Sequence, residues 1–144
     1  MKIVVFGAGA WGTALAVHAA KQHSVALWAR SAEDCATLQN ERCNQKYLPG
    51  RSLPDSLQII SSMADAVAWS IKDEAALPTS APPSAPLWVC GTSMAGLRHV
   101  ARALAQASVP GSGQSPSGFL WLCKGVEQGS HFLAHQVIED VWPE

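Results

Sequence analysis

The sequence is short of charge. Only 15% of its 144 residues are Asp, Glu, Lys or Arg, and the formal net charge is −1. A chain so evenly balanced offers no electrostatic attraction to nucleic acid or to an anionic membrane surface. It also lacks any apolar run near the ~20 residues that a membrane-spanning helix needs. The four cysteines, Cys35, Cys43, Cys90 and Cys123, form no C-x-x-C pair, which leaves neither zinc-ribbon spacing nor a disulfide framework. Cys90 and Cys123 close apolar runs, where a small thiol is buried, and a reducing cytoplasm is the expected setting. His131 and His135 have the i, i+4 spacing of zinc-binding helix pairs. The intervening "FLA" lacks the glutamate of H-E-x-x-H, so no metal is expected. No nucleophile has a base placed beside it. These absences describe a globular chain that binds a ligand rather than one that performs covalent catalysis.

What is present is glycine, concentrated at one place. "KIVVFGAGAWGTAL" (residues 2–15) runs a β-branched apolar stretch into Gly7, Gly9 and Gly12 and then into an alanine-rich segment. A secretory signal has a similar outline, with a lysine, an apolar core and the small residues of "AVHAA". The core of a signal works as a helix, however, and each glycine would cost such a helix about 1 kcal/mol relative to alanine. The glycines belong to a turn. Residues 2–6 then form a buried strand, 7–12 a G-x-G-x-x-G turn and 13–21 a helix. Gly7 takes a positive φ, Gly9 has no Cβ to obstruct a pyrophosphate, and Gly12 lets the helix pack closely on the strand. The free N–H groups and the dipole at the helix start face the phosphates of a dinucleotide.

The rest of the chain alternates strand and helix. A second strand is expected over 24–28, and Ser31 with Asp34 three positions on marks a helix start, with Leu38 on the inner face. "KYLPGRSLPDS" (46–56) reads as a proline-rich loop, 57–60 as a third strand, and Met63, Val67 and Ile71 fall at helical spacing. "LPTSAPPSAP" (77–86) reads as an exposed loop. Residues 87–90 form a fourth strand, and 94–107 a helix with Leu97, Val100 or Ala101, and Leu104 inward. A flexible stretch (109–118) precedes a fifth strand (119–123), ended by Lys124 and Gly125. A last helix (132–141) turns Leu133, Val137 and Val141 inward. The pattern predicts a single α/β domain, a doubly wound, Rossmann-like parallel sheet with helices on both faces.

In such a sheet ligands bind at the carboxyl ends of the strands, so the residues that follow each strand carry the functional reading. Arg30 stands where an NAD-specific domain often places an acid for the ribose hydroxyls. A guanidinium there stacks on adenine or pairs with a 2′-phosphate, so NADP is tolerated or preferred; the alternative is an ordinary surface arginine. Ser31 adjoins it, and Ser93 is a possible ligand contact after the fourth strand. Trp11, inside the glycine turn, borders the cofactor. Lys124 supplies a cation for a carbonyl oxygen or a phosphate, or else snorkels at a strand end.

"GAGAWGTALA" (7–16), "LWAR" (27–30), "NQKYLPG" (44–50) and "CKGVE" (123–127), in this order, resemble the amino-terminal domain of bacterial NAD(P)-dependent glycerol-3-phosphate dehydrogenases over nearly the whole chain. The resemblance implies that Gly7, Gly9, Ala10, Trp11 and Gly12 hold the pyrophosphate of NAD or NADP, with Arg30 beside the adenosine ribose and Tyr47 at the border of the cleft. Lys124 would lie near the nicotinamide and the substrate, glycerol 3-phosphate or dihydroxyacetone phosphate. The reaction implied moves a hydride between the C2 carbinol and the nicotinamide, in the synthesis of the phospholipid backbone. A homodimer is implied for the full-length enzyme.

Two local features depart from that family. A Val-Pro-Ser-like turn is replaced by "CGTSMAG" (90–96), with Ser93 in the serine's place, and the 60–87 stretch is longer and richer in proline. Family members continue into an all-helical domain with a second lysine, whereas this sequence stops at Glu144. The expectation is a nucleotide-binding half that lacks turnover by itself, with Phe132, Val141 and Trp142 uncovered near the last helix and self-association through them. Two alternatives are a stand-alone NAD(H)-sensing module without turnover and a decayed domain that binds no nucleotide.

Overall fold

The computed structural model describes residues 1–72, 85–107 and 116–142. Its first half runs β1 (Lys2–Phe6), α1 (Ala10–Ala19), β2 (Ser24–Trp28), α2 (Ala32–Glu41), β3 (Cys43–Asn44), β4 (Leu48–Ser52), β5 (Gln58–Ile60) and α3 (Met63–Ile71). β6 (Leu87–Cys90), α4 (Met94–Ala107), β7 (Gly118–Trp121) and α5 (Ala134–Val141) complete it. Five strands make one parallel sheet in the order β5-β2-β1-β6-β7. The chain winds outward from β1 to β5, then returns to β6 on the other side of β1. That reversal leaves a crevice at the carboxyl ends of β1 and β6, where ligands of doubly wound sheets bind.

Alternate strand residues feed two cores. Ile3, Val5, Val25, Leu27 and Val89 pack with Ala16 of α1 and with Cys35 and Leu38 of α2. Val4, Phe6, Ala26, Trp88 and Cys90 pack on the opposite face with α3, α4 and α5. Both faces are covered, and for that reason the strands read as continuous apolar runs instead of alternating ones. Trp88 is fully buried, edge-on to Phe6 at 6.1 Å between ring centroids. Its indole Nε1 donates to Ser70 Oγ at 3.1 Å, so the large apolar body carries no orphaned polar atom.

The expected elements recur with instructive shifts. α1 begins at Ala10 rather than residue 13, so Gly12 lies inside its first turns. Residues 46–56 are not all loop: β3 and β4 form an antiparallel ribbon pairing Cys43 with Ser52 and Asn44 with Leu48. A two-stranded ribbon has two free edges, so Pro49 and Gly50 are tolerated in it. β7 ends at Trp121, two residues before the expected boundary, because its partner β6 stops at Cys90; the Leu122 N–H makes one further bond to the Cys90 carbonyl, at 2.9 Å. The segment 77–84 and most of 109–118, expected as loops, lie outside the described residues.

The last helix also starts later than expected. Leu133 is the N-cap of α5 and 47% exposed rather than inward, while Ala134 and Val137 are buried. Gln136 Oε1 accepts from the Leu133 N–H at 2.9 Å, which settles that start. Trp142 packs on Trp88 and Phe119, with ring centroids 6.1 and 6.0 Å apart. Phe132, Val141 and Trp142 are half-buried, contrary to expectation, and the exposed large apolar side chains of the described residues after β6 are Leu120, Trp121, Leu122, Val126 and Leu133.

Candidate nucleotide-binding site

The glycine turn has the shape its spacing implies. Gly7 has φ +122°, and a Cβ there would sit 2.9 Å from the Gly91 carbonyl carbon and from Thr92 Cγ2. At Gly12 a Cβ would meet the Gly7 carbonyl oxygen at 2.0 Å, so only glycine lets α1 approach the turn. Gly9 differs. Its backbone is extended, φ −74° and ψ −177°, and a Cβ would find its nearest neighbour 3.8 Å away, at the Gly91 carbonyl oxygen. The fold does not require glycine at position 9, and its backbone there is open to close approach. Gly91, in the segment that follows β6, closes the other side: its Cβ would press on Gly12 Cα at 3.0 Å.

Two clefts flank this turn. One, of about 640 Å³, is walled by the turn, by Arg30 and by Tyr47 of the β3–β4 ribbon. The other, of about 560 Å³, is lined by Ala10, Trp11, Ser93, Cys123 and Lys124. Thr92 borders both, so they adjoin at the crevice between β1 and β6. Both volumes fall in the usual range for ligand pockets. Trp11 is 78% exposed and lines the second cleft. Ser31 is the one candidate turned to another task. Its hydroxyl accepts from the Asp34 N–H at 3.0 Å, capping α2.

The structure adds residues that sequence reasoning left without a role. Asp34 and Glu41 of the neighbouring helix line the first cleft together with Arg30. Asn44 is buried, 5% exposed; its Nδ2 donates to the Ala8 carbonyl at 2.9 Å and to Thr13 Oγ1 at 2.8 Å. Its Oδ1 accepts from the Tyr47 N–H at 3.2 Å. Only the i, i+3 spacing of Asn44 and Tyr47 hinted at this turn in the sequence.

Lys124 follows β7 in a loop that is tied down three residues later. Glu127 accepts two hydrogen bonds from Arg98 of α4, each 2.8 Å, and one from Ser130 Oγ at 2.6 Å. Arg98 also pairs with Asp140 of α5. These bonds, Arg98's first, hold the Glu127 carboxyl down to about 2. His131 lies in the same loop with φ 61°, ahead of α5, so His131 and His135 do not share a helix. Burial pushes the thiols of Cys90 and Cys123 up, which keeps them protonated and poorly nucleophilic at neutral pH.

Residues 2–144 match the model of the NAD-dependent glycerol-3-phosphate dehydrogenase N-terminus. A glycerol-3-phosphate dehydrogenase [NAD(P)+] of Burkholderia cenocepacia is 41% identical over 144 residues, all of this chain and 39% of that relative. The one from Herminiimonas arsenicoxydans is 40% identical over 141 residues, 98% of this chain and 37% of its own length. The chain thus spans about two fifths of the curated relatives it matches. Among solved structures, glycerol-3-phosphate dehydrogenase from Coxiella burnetii superposes with a TM-score of 0.77 at 22% identity, covering 99% of this chain and 38% of that one. The Plasmodium falciparum enzyme gives 0.71 at 19%, with the same coverage. At these identities the structures speak for the fold alone. From the family match across residues 2–144 and the crevice it encloses, the chain belongs to the NAD-dependent glycerol-3-phosphate dehydrogenase family, as the amino-terminal part.

Proposed function

We propose that this chain binds NAD(H) or NADP(H) across the glycine turn and that the whole protein transfers a hydride between glycerol 3-phosphate and dihydroxyacetone phosphate. The observation that carries the reading is Gly9, a glycine the fold does not need, set at the helix start between two adjoining clefts. The residues present fit a dinucleotide. Gly7, Gly9, Ala10, Trp11 and Gly12 shape a cradle of backbone N–H groups for the pyrophosphate. Arg30 and Tyr47 take the adenosine half, with Arg30 available to a 2′-phosphate. Ser31 serves this half through α2, which it caps.

The nicotinamide ring, when bound, supplies or accepts the hydride. Lys124 is the catalytic candidate: its ammonium stabilises negative charge at the C2 oxygen of the substrate and attracts a phosphorylated ligand. Trp11 limits water at the reacting end, and Ser93 offers a hydroxyl on the same cleft wall. For the whole protein we carry three further proposals: a small polyol phosphate as substrate, a homodimer and a cytoplasmic setting. Exposed Leu120, Trp121 and Leu122 support contact with further polypeptide, and four free cysteines fit a reducing compartment. No helix among the described residues is long and apolar enough to cross a membrane.

Calorimetric titration of the 144-residue chain with NADH and NADPH tests the binding claim. Saturable heats with either nucleotide are expected. A folded sample that binds neither refutes it.

A further inference from the structure

The Ala8–Gly9 peptide can present only one of its polar groups to a bound nucleotide. In a planar trans peptide the carbonyl of one residue and the N–H of the next point in opposite directions. Whatever holds the Ala8 carbonyl inward therefore aims the Gly9 N–H outward. Asn44 holds it, through the 2.9 Å bond from Nδ2. The same amide reaches Thr13 Oγ1, on a residue with no exposed surface, and its oxygen anchors the Tyr47 N–H. One buried side chain on β3 thus spans the glycine turn, the first turns of α1 and the ribbon that walls the first cleft.

We infer that Asn44 is a positioning residue: by fixing the Ala8–Gly9 peptide plane, it aims the Gly9 N–H at the pyrophosphate and joins the glycine turn to the Tyr47 wall. The inference rests on the nucleotide-binding reading above. Its energetic logic is that a donor held in place before the ligand arrives loses no orientational freedom on binding. Asn44 touches no ligand in this account. It acts through the Gly9 amide.

Asn44→Asp separates this role from simple packing. The carboxylate keeps the shape, still accepts from the Tyr47 N–H and can accept from the Thr13 hydroxyl, but it has no hydrogen to give Ala8. The 144-residue chain is compared in three forms: wild type, Asn44→Asp, and Val100→Ala, a core change remote from the clefts that controls for lost stability. Two readouts are taken, the Gly9 amide resonance in the free chain and the Kd for NADH and for ADP. In Asn44→Asp the Gly9 amide is expected to shift and both Kd values to rise about tenfold, the scale of one hydrogen bond to a charged group. In Val100→Ala neither changes. Should Asn44→Asp fail to fold, Asn44→Ser, too short to reach Ala8, is read in the same way. A folded variant with wild-type Kd values overturns the role of Asn44 while leaving nucleotide binding intact. A wild-type chain that binds neither NADH nor ADP overturns the nucleotide reading and this inference with it.

Discussion

The two clefts beside the glycine turn are built differently. The Arg30 cleft has walls from β2, α2 and the β3–β4 ribbon, tied together by buried Asn44 and by the cap that Ser31 places on α2. The Lys124 cleft is lined by residues that follow β7, whose last residues Leu120 and Trp121 are exposed, in a loop whose Glu127 carboxylate pairs with Arg98 of α4. The first is walled on three sides by packed elements. The second presents a cation and a tryptophan beside uncovered apolar surface. On the reading proposed above, nucleotide affinity comes mainly from the Arg30 side.

The glycines provide the sharpest way to break that picture, because the same substitution should do opposite things three residues apart. Gly12→Ala drives a Cβ into the Gly7 carbonyl and should cost ~3 kcal/mol or more of stability, read as a large fall in Tm by circular dichroism. Gly9→Ala should melt near the wild-type temperature yet lose NADH affinity by about tenfold or more, because its methyl projects where the ligand comes close. Equal behaviour of the two variants would dissolve the distinction between a fold glycine and a ligand glycine. A smaller effect is expected at Arg30, which shares its cleft with Asp34 and Glu41. Arg30→Asp should weaken NADPH more than NADH by a factor of about ten, the loss of one charge-assisted pair. Parallel losses for both nucleotides would remove the 2′-phosphate role.

The smallest expected effect concerns the Lys124 loop, through Glu127→Gln. The carboxyl is depressed from 4.5 to about 2 in the folded chain, so its contribution to stability is fully present above pH 4.5 and is lost as pH falls toward about 2. The Tm gap between wild type and Glu127→Gln should therefore be widest near neutral pH and shrink with acid. A gap that stays constant down to pH 2.5 would show that the ion pair with Arg98 does not hold this loop.

The Arg30 side was the more legible in sequence. The turn glycines, the strand that ends before Arg30 and the Ser31 cap all follow from spacing within a few residues, and each occurs where it was expected. Asn44 was not legible. It stood at the head of the "NQKYLPG" block with no role of its own, and its partners Ala8 and Thr13 lie 36 and 31 positions away. The Glu127 attachment was hidden in the same way, since Arg98 lies 29 positions back on α4. Leu133 misled for another reason. Helical spacing marked it as inward, but a residue in the cap position does not share the helix's inner face.

By itself, then, the sequence determined the alternation of strands and helices, the glycine turn and the type of ligand that turn accepts, because each rests on local periodicity, backbone permissiveness and N–H groups at a helix start. The tertiary structure alone decided where β7 ends, which apolar residues stay uncovered, and which buried amide holds the turn in register. Those outcomes depend on hydrogen-bond partners and neighbours contributed by distant parts of the chain. A β7 residue stops being a strand residue when the β6 carbonyls run out, and no pattern within 118–123 records that.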